Sequence, residues 1–163
     1  MIAAFKLAGF FAAHAIWCVS DGETLIPILA YTTEDEGRMM ERLIVEDDLS
    51  ASVAVGKEKL LANEMDAIDA VLLYDGRIPI GEEKVDAIII EIRAYFSPDS
   101  EAIMAVPYTP NVSGRFRVHK PKLLAWENCE DFDMNAALES FFEGVDGHEK
   151  GSKVWNDCLD ESR

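Results

Sequence analysis

The chain has few basic residues for its size. Its 163 residues include 15 Lys and Arg against 31 Asp and Glu, so the formal net charge is −16. A surface this negative repels nucleic-acid phosphates and anionic lipid headgroups, which makes a nucleic acid or a membrane an unexpected partner. It attracts cations and basic proteins instead.

Signatures of catalysis and of cofactor binding are also missing. The chain contains no glycine-rich phosphate loop, no HExxH sequence and no serine in a G-x-S-x-G context. Its three cysteines, Cys18, Cys129 and Cys158, are odd in number, widely spaced and form no CxxC pair. This usage is typical of a reducing cytoplasm, where disulfides are rare. We therefore expect a cytoplasmic protein with no cofactor, and a binding role rather than an enzyme.

A metal site is not predicted either. His14 and Cys18 stand four residues apart on a predicted helix, a spacing that suits two zinc ligands. Two ligands are too few, and neither His119 nor His148 has a local partner at metal-binding spacing. We expect His14 to be an interior histidine and Cys18 a small buried thiol.

One long apolar segment is present: residues 1–19 carry a single charge, Lys6. The pattern predicts a helix that is apolar almost all round, which must be cleaved as a signal, laid on a membrane or buried. Ala13-His14-Ala15 matches a signal-cleavage pattern, but one lysine is a weak positive region. The run 7–19 is too short to cross roughly 30 Å of hydrocarbon at about 1.5 Å per residue. We favour burial in the fold or in a homodimer interface, the latter through Phe5, Phe10, Phe11 and Trp17.

Periodicity and turn signals predict the other elements. A hairpin of strands 24–32 and 38–45 precedes a helix from Asp47 or Asp48 to about Asn63. Pro27 lacks a backbone donor, so the first strand is expected at a sheet edge or after a bulge. Asp75-Gly76 predicts a tight hairpin turn. The further predicted strands are 70–74, 77–80, 85–96, 102–109, 115–119 and 122–127, and the predicted C-terminal helices run from Asp131 or Asp133 to Gly144 or Gly147 and over 152–159.

The element order predicts one α+β domain over residues 1–163. It consists of an N-terminal apolar helix, a β-hairpin, a helix, an antiparallel meander of about five strands and two C-terminal helices. Short connections favour the meander, and helices segregated on one sheet face are typical of this class. The other sheet face must be wet, covered by the apolar helix or covered by a second subunit.

The densest basic segment supplies the candidate ligand-binding residues. Arg115, Arg117 and His119 alternate with Phe116 and Val118 on a predicted strand, so the polar side chains share one face. Together with Arg93 on the predicted strand 85–96, these polar residues predict a pocket that clamps a carboxylate or phosphate. The alternative is a solvated strand face paired with nearby acids, which any half-exposed antiparallel strand shows.

The acidic character supports the leading functional hypothesis, a homodimeric protein-binding protein. Residues 127–149 hold eight acids and no base, which suits either a helix dipole at its N-terminus or a docking surface for a basic partner. Small size, acidity and this element order resemble type III secretion chaperones and toxin immunity proteins at the level of fold. The resemblance implies an accessory role, whereas the basic strand cluster implies a small anionic ligand. A peripheral-membrane or exported protein is the third possibility.

Overall fold

The computed structural model describes residues 1–163 and confirms the α+β class. Four helices accompany seven strands. The helices are α1 (Ile2–Val19), α2 (Leu49–Ala62), α3 (Met134–Asp146) and α4 (Glu149–Asp157). The strands are β1 (Ile28–Thr33), β2 (Gly37–Arg42), β3 (Asp69–Ile80), β4 (Glu83–Ala94), β5 (Glu101–Thr109), β6 (Arg117–Val118) and β7 (Lys122–Glu127).

The strands form one antiparallel sheet in the order β2-β1-β3-β4-β5, and both β6 and β7 pair with β5. The segment β3-β4-β5 forms a three-stranded part of the predicted meander. After β5 the chain makes a short 3₁₀ turn at Asn111–Ser113. It then runs back along different parts of the same strand, first as β6 and then as β7.

Helix α1 is the central element of the main core. It lies against β3 and β4 on one side and against α3 and α4 on the other. Phe5 and Ile16 are fully buried, as are most of its alanines. Burying one such large side chain stabilises the fold by roughly 1.5–3 kcal/mol. This two-sided packing explains why the helix is apolar almost all round, and the predicted burial is confirmed.

By length and composition alone, α1 is the one helix that could cross a membrane, although 61% of its residues are buried within the fold.

The C-terminal helices lie on the same side of the sheet as α1, but they contact α1 more than the strands. Their close approach depends on glycine. A Cβ on Gly9 would overlap the Phe141 carbonyl oxygen, and a Cβ on Gly144 would overlap that of Lys6. Glycine at these two positions allows the backbones of α1 and α3 to touch.

The opposite sheet face is partly covered by α2. Leu60 packs there with Leu29, Leu43 and Leu72 in a second, smaller core. Asp48 caps the helix by accepting a hydrogen bond from the Ala51 N–H at 3.1 Å, which confirms one of the two predicted caps.

Gly56 allows α2 to approach the residues beneath it closely. A Cβ at this position would lie 2.5 Å from Leu72 Cδ1 and 2.7 Å from Leu43 Cδ1. The helix is therefore seated on two leucine side chains rather than on another backbone.

The hairpin predicted at Asp75-Gly76 is wrong. Strand β3 runs straight through this dipeptide, with Asp75 opposite Ile88 and Gly76 opposite Ala87. The turn lies at Gly81, whose φ of +62° suits glycine. Continuous pairing with the twelve residues of β4 outweighs the local turn preference.

Two further strand predictions need correction. Strand β1 lies inside the sheet and begins directly after Pro27, so the edge strand is β2. The predicted strand 115–119 shrinks to Arg117–Val118, because only those residues pair with β5.

Helix α4 begins at Glu149, three residues before the predicted start, since His148 caps it.

Candidate functional site

The two arginines of the basic segment predicted from the sequence both contact the C-terminal segment. Arg117 Nη1 lies 3.5 Å from Asp160 Oδ2, and Arg115 Nη2 lies 3.5 Å from the Asp157 carbonyl oxygen. Both arginine residues are exposed. Asp157 and Asp160 line the same open cavity of about 220 Å³ as the two arginines, so acids stand beside the charges that a bound anion would need.

His119 does not share the exposed face of these arginines. It is 1% exposed, with Nδ1 3.0 Å from the Asp160 carbonyl oxygen and Nε2 2.8 Å from Thr109 Oγ1. A carbonyl oxygen only accepts, so Nδ1 donates to it, and the second ring nitrogen is hydrogen-bonded to the Thr109 hydroxyl. His119 thus ties the C-terminal segment to the end of β5.

Arg93 lies far from the other three residues. Its Nη2 is 3.4 Å from Glu101 Oε2, at the first residue of β5, whereas Arg117 pairs with Thr109 at the last residue of the same strand. Since β5 is fully extended, the two arginines stand at opposite ends of the sheet. The structure does not bring Arg93, Arg115, Arg117 and His119 together into one pocket.

The four aromatic residues predicted at a partner interface divide into two pairs. Phe5 and Phe11 are buried in the protein's own core and face no partner. Phe10 is partly exposed and Trp17 is 37% exposed, both on the open side of α1. Only this second pair is accessible to another molecule.

A different basic group surrounds the open side of α1. We define the α1–β2 cleft by Lys6, Phe10, His14 and Trp17 of α1, Arg38 and Arg42 of β2, and His148 and Lys150 at the start of α4. The rings pack against one another in a continuous series. The ring centre of His148 lies 5.0 Å from that of Phe10, 5.2 Å from that of His14 and 6.0 Å from that of Trp17.

Two of the cations lie over aromatic faces of the cleft. The Arg38 guanidinium carbon is 3.7 Å from the Phe10 ring centre, and Lys150 Nζ is 5.0 Å from the Trp17 ring centre. Cation–π contacts of this kind are worth about 0.5–1 kcal/mol at exposed sites. They hold the charged groups at the rim of the cleft without neutralising them.

A cavity of about 410 Å³ opens beside Phe10 at one end of the cleft. Lys6 and Arg38 line it together with Thr32, Gly147 and a single acid, Glu143. Its walls come from α1, the β1–β2 hairpin and α3. The α1–α3 backbone contact at Gly144 forms part of its lining.

The two histidines have defined protonation states. His148 Nδ1 accepts from the Gly151 N–H at 2.8 Å as the cap of α4, so its proton is on Nε2. That Nε2–H donates to His14 Nδ1 at 3.1 Å, which leaves the His14 proton on Nε2. His14 Nε2 is buried and has no hydrogen-bond partner. Both rings are therefore neutral in this arrangement.

The surroundings favour these neutral forms. Burial lowers the pKa of His14 below its ordinary value, and the neighbouring His148 and Arg42 lower this pKa further. Burial also lowers the pKa of His148, with Arg38 and Lys150 acting in the same direction. The positive charge of the cleft thus resides on its lysines and arginines.

Lys6, Arg38, Arg42 and Lys150 form no salt bridge, although the chain has about twice as many acids as bases. Outside the cleft, seven of the eleven lysines and arginines are paired with acids, whereas Lys84, Arg115, Lys120 and Lys122 form no salt bridge. The α1–β2 cleft therefore offers free positive charge beside aromatic surface.

Two other kinds of site were considered from the sequence, a metal site and the acidic segment 127–149. No group of three or more His, Cys, Asp or Glu side chains is arranged to hold a metal ion. Within the acidic segment 127–149, Asp133 accepts from the Ala136 N–H at 3.1 Å and so caps α3. This acid thus has a structural role of its own.

Sequence reasoning missed the α1–β2 cleft because its residues come from three distant segments. The available signals were Lys6 as the lone charge of an apolar helix and the alternation of Arg38 and Arg42 on a short strand. Neither signal indicates the other, since only the fold places β2 beside α1.

A comparison with protein-family models finds no matching family, and comparisons with curated proteins and with solved structures find no match.

Proposed function

We propose that this protein is a binding protein whose α1–β2 cleft takes a negatively charged ligand. The observation that carries the proposal is the set of four cations of the cleft, Lys6, Arg38, Arg42 and Lys150, that form no salt bridge. Two of them, Lys6 and Arg38, line an open cavity beside Phe10. In a chain with 31 acids, free cations gathered at one place favour an external anion.

The geometry supports a carboxylate or phosphate attached to an apolar body. Arg38 presents a planar fork of donors that suits either group, and Lys6 lines the same cavity. Phe10 provides the apolar wall on which a ring or aliphatic chain packs. A few charged groups in a largely apolar cavity are typical of small-ligand sites.

A titration with phenyl phosphate, monitored by calorimetry and by tryptophan fluorescence, tests the proposal. Trp17 is the exposed tryptophan of the cleft, so Trp17→Phe identifies its share of the signal. A hydrogen bond to a charged group is worth about 1.5–3 kcal/mol, so Arg38→Gln should weaken binding roughly tenfold or more.

Arg115→Gln is the matched control, because it removes an arginine from the other basic cluster. We expect it to leave the affinity unchanged, and we expect benzyl alcohol, which lacks the charge, not to bind. The proposal fails if phenyl phosphate shows no saturable binding, or if both arginine variants weaken it equally.

The homodimer and the basic partner remain predictions of the sequence. With Phe5 and Phe11 buried, a dimer interface on α1 is reduced to Phe10 and Trp17. Such a dimer would close the cleft, so light scattering at micromolar concentration bears on the proposal. A stable dimer that occludes Trp17 from quenchers contradicts a cleft open to ligand.

A cytoplasmic location is part of this proposal. Its support is the cysteine usage, since Cys18, Cys129 and Cys158 are all free. Cell fractionation followed by intact-mass measurement of the soluble fraction is the test. Recovery of the protein in the membrane fraction or in the fraction from an oxidising compartment would contradict a cytoplasmic location.

A further inference from the structure

We infer that the anionic ligand of the α1–β2 cleft is an extended acidic segment of another protein, which adds to β2 as a further strand. This inference rests on the proposed anion binding and specifies the class of partner. It starts from the position of β2, which pairs with β1 on one side and ends the sheet on the other. An edge strand exposes a row of unpaired N–H and C=O groups that templates pairing with another chain.

The register of β1 and β2 determines which backbone groups are free. Leu43 N–H donates to the Pro27 carbonyl oxygen at 2.9 Å, just beyond the end of β2. Backbone groups alternate in direction along a strand, so Met39 and Glu41 also face β1. The N–H and C=O groups of Arg38, Met40 and Arg42 consequently point away from the sheet, toward an added strand.

The same three residues direct their side chains toward α1. Arg38 lies over Phe10, and the charge of Arg42 acts on His14. Met40 shares their face because side chains alternate with a period of two, and it is 41% exposed. Free backbone and cleft-facing side chains therefore coincide at Arg38, Met40 and Arg42.

This coincidence defines the pattern of the partner. In an added antiparallel strand, the residues that exchange hydrogen bonds with Arg38, Met40 and Arg42 stand about 5.5 Å from them between Cα atoms, with side chains on the same face. Carboxylates opposite the two arginines and an apolar residue opposite Met40 complement the edge. The pattern is acidic-x-apolar-x-acidic.

A second copy of this chain does not fit the same edge. Antiparallel pairing of two β2 strands about Met40 would place Arg38 of one copy opposite Arg42 of the other, twice. Like charges directly opposite each other destabilise a strand pair. The two arginines thus oppose self-pairing and favour an acidic strand.

The turns at each end of β2 limit the length of that strand. Glu34, Asp35 and Glu36 precede β2, and Glu46 to Asp48 follow it. Basic residues that flank the acidic core of the partner would meet these acids. The complementary peptide therefore carries a base at each end.

Binding of the peptide KTETVTETK tests the inference. Its two glutamates and its valine share one face, so they can meet Arg42, Met40 and Arg38. The control peptide KTTEVETTK has the same composition, but its glutamates lie on the opposite face from the valine. Fluorescence anisotropy should show at least tenfold tighter binding of the first peptide, and the double variant Arg38→Glu, Arg42→Glu should abolish it.

Amide hydrogen exchange provides the readout for strand addition. The first peptide should slow exchange at Arg38, Met40 and Arg42 and leave Met39 and Glu41 unchanged. Equal affinity of the two peptides, or binding without this alternating protection, overturns the inference. Protection that rises with protein concentration in the absence of peptide overturns it in favour of a second copy.

The same experiment separates this inference from the proposed function. If phenyl phosphate binds and KTETVTETK does not, the anion site stands and the acidic strand is wrong. If neither binds, both proposals fall. The charge-reversed protein should instead bind KTKTVTKTK, and failure of this rescue in a variant with unchanged circular dichroism also counts against strand pairing.

Discussion

Two basic clusters of this protein differ in how close their residues are in the sequence and in what those residues contact in the fold. Arg115, Arg117 and His119 are adjacent in sequence, but the C-terminal segment binds them through Asp160 and nearby carbonyl oxygens. The residues of the α1–β2 cleft are scattered over the chain, but the fold gathers them and leaves their charges free. Local charge density thus marks side chains that contact the C-terminal segment, whereas the unpaired cations of the cleft come from distant segments.

The physical difference is in the partners that each cluster meets. The first lies beside a chain terminus that carries acids, whereas the second is surrounded by aromatic rings and by the helical backbones of α1 and α3. A cation over a ring keeps its charge, and a cation beside a carboxylate is compensated. The following experiments disturb one cluster at a time.

The largest effect is expected from Gly144→Ala, which separates the walls of the cleft. The new Cβ would overlap the Lys6 carbonyl oxygen, so α1 and α3 must move apart. Overpacking of this kind costs roughly 1–3 kcal/mol, occasionally more, which lowers Tm by several degrees. Thermal unfolding and phenyl phosphate titration should both show a loss.

Gly147→Ala is the matched control for that variant. A Cβ there would have its nearest neighbour at 3.3 Å, the Gly144 carbonyl oxygen, so only a small adjustment is needed. A Tm close to that of wild type is expected. Equal losses in the two variants would show that the helix contact is looser than the structure has it.

The second largest effect is expected in the other basic cluster, at His119. His119→Ala removes a buried ring with two hydrogen bonds and releases the C-terminal segment from β5. The two lost hydrogen bonds are worth about 0.5–1.5 kcal/mol each, so Tm should fall while binding in the cleft is kept. Differential scanning calorimetry measures the first quantity and calorimetric titration the second.

Arg117→Ala serves as its control, because it breaks an exposed ion pair of little worth. Its Tm should be nearly that of wild type. If Arg117→Ala lowered Tm more than His119→Ala, the conclusion that His119 ties the C-terminal segment to β5 would be wrong.

A smaller effect is expected in the pH dependence of stability. His14 and His148 have a pKa lowered by burial and by nearby cations, so below an ordinary pKa of about 6.5 the unfolded chain binds more protons than the folded one. The free energy of unfolding should therefore fall as pH decreases from about 6.5 toward the lowered values. His148→Asn keeps a helix-capping residue and removes one titrating ring.

The wild type should consequently lose more Tm between pH 7 and pH 5 than His148→Asn does. Comparing the two proteins cancels the opposite trend of Asp69 and Asp75, whose pKa is raised chiefly by burial. Parallel pH profiles would refute the assignment of neutral, buried histidines.

The smallest effect is a general one that follows from the net charge of −16. Raising the salt from about 0.01 M to about 0.1 M shortens the Debye length from roughly 30 Å to 10 Å and reduces repulsion among exposed acids. Tm should rise slightly, while phenyl phosphate binding in the cleft becomes weaker. An unchanged Tm would mean that the acids are already compensated within the fold.

Much of the fold was predictable from local patterns. The apolar helix, the cap at Asp48 and the order of elements follow from periodicity and turn residues, and the structure has them. The Asp75-Gly76 turn was mispredicted because the dipeptide favours a hairpin locally, while the partner strand β4 favours continuation. Strand pairing is a non-local interaction, so no short window of sequence contains it.

The sites were less predictable than the fold. The sequence indicated that basic side chains alternate at Arg115 and Arg117, but not that Asp160 would lie beside them. It placed Phe10 and Trp17 on an apolar helix, but not which side of that helix stays open. Both errors concern partners that arrive from distant parts of the chain.

The sequence by itself determined the class of the fold, the burial of its first helix and the negative charge of its surface, since hydrophobic periodicity and formal charge are properties of local segments. Only the tertiary structure decided which cations are compensated and which remain free. The reason is that an ion pair or a cation–π contact acts over a few ångströms, and only folding brings β2 and α4 to the open side of α1.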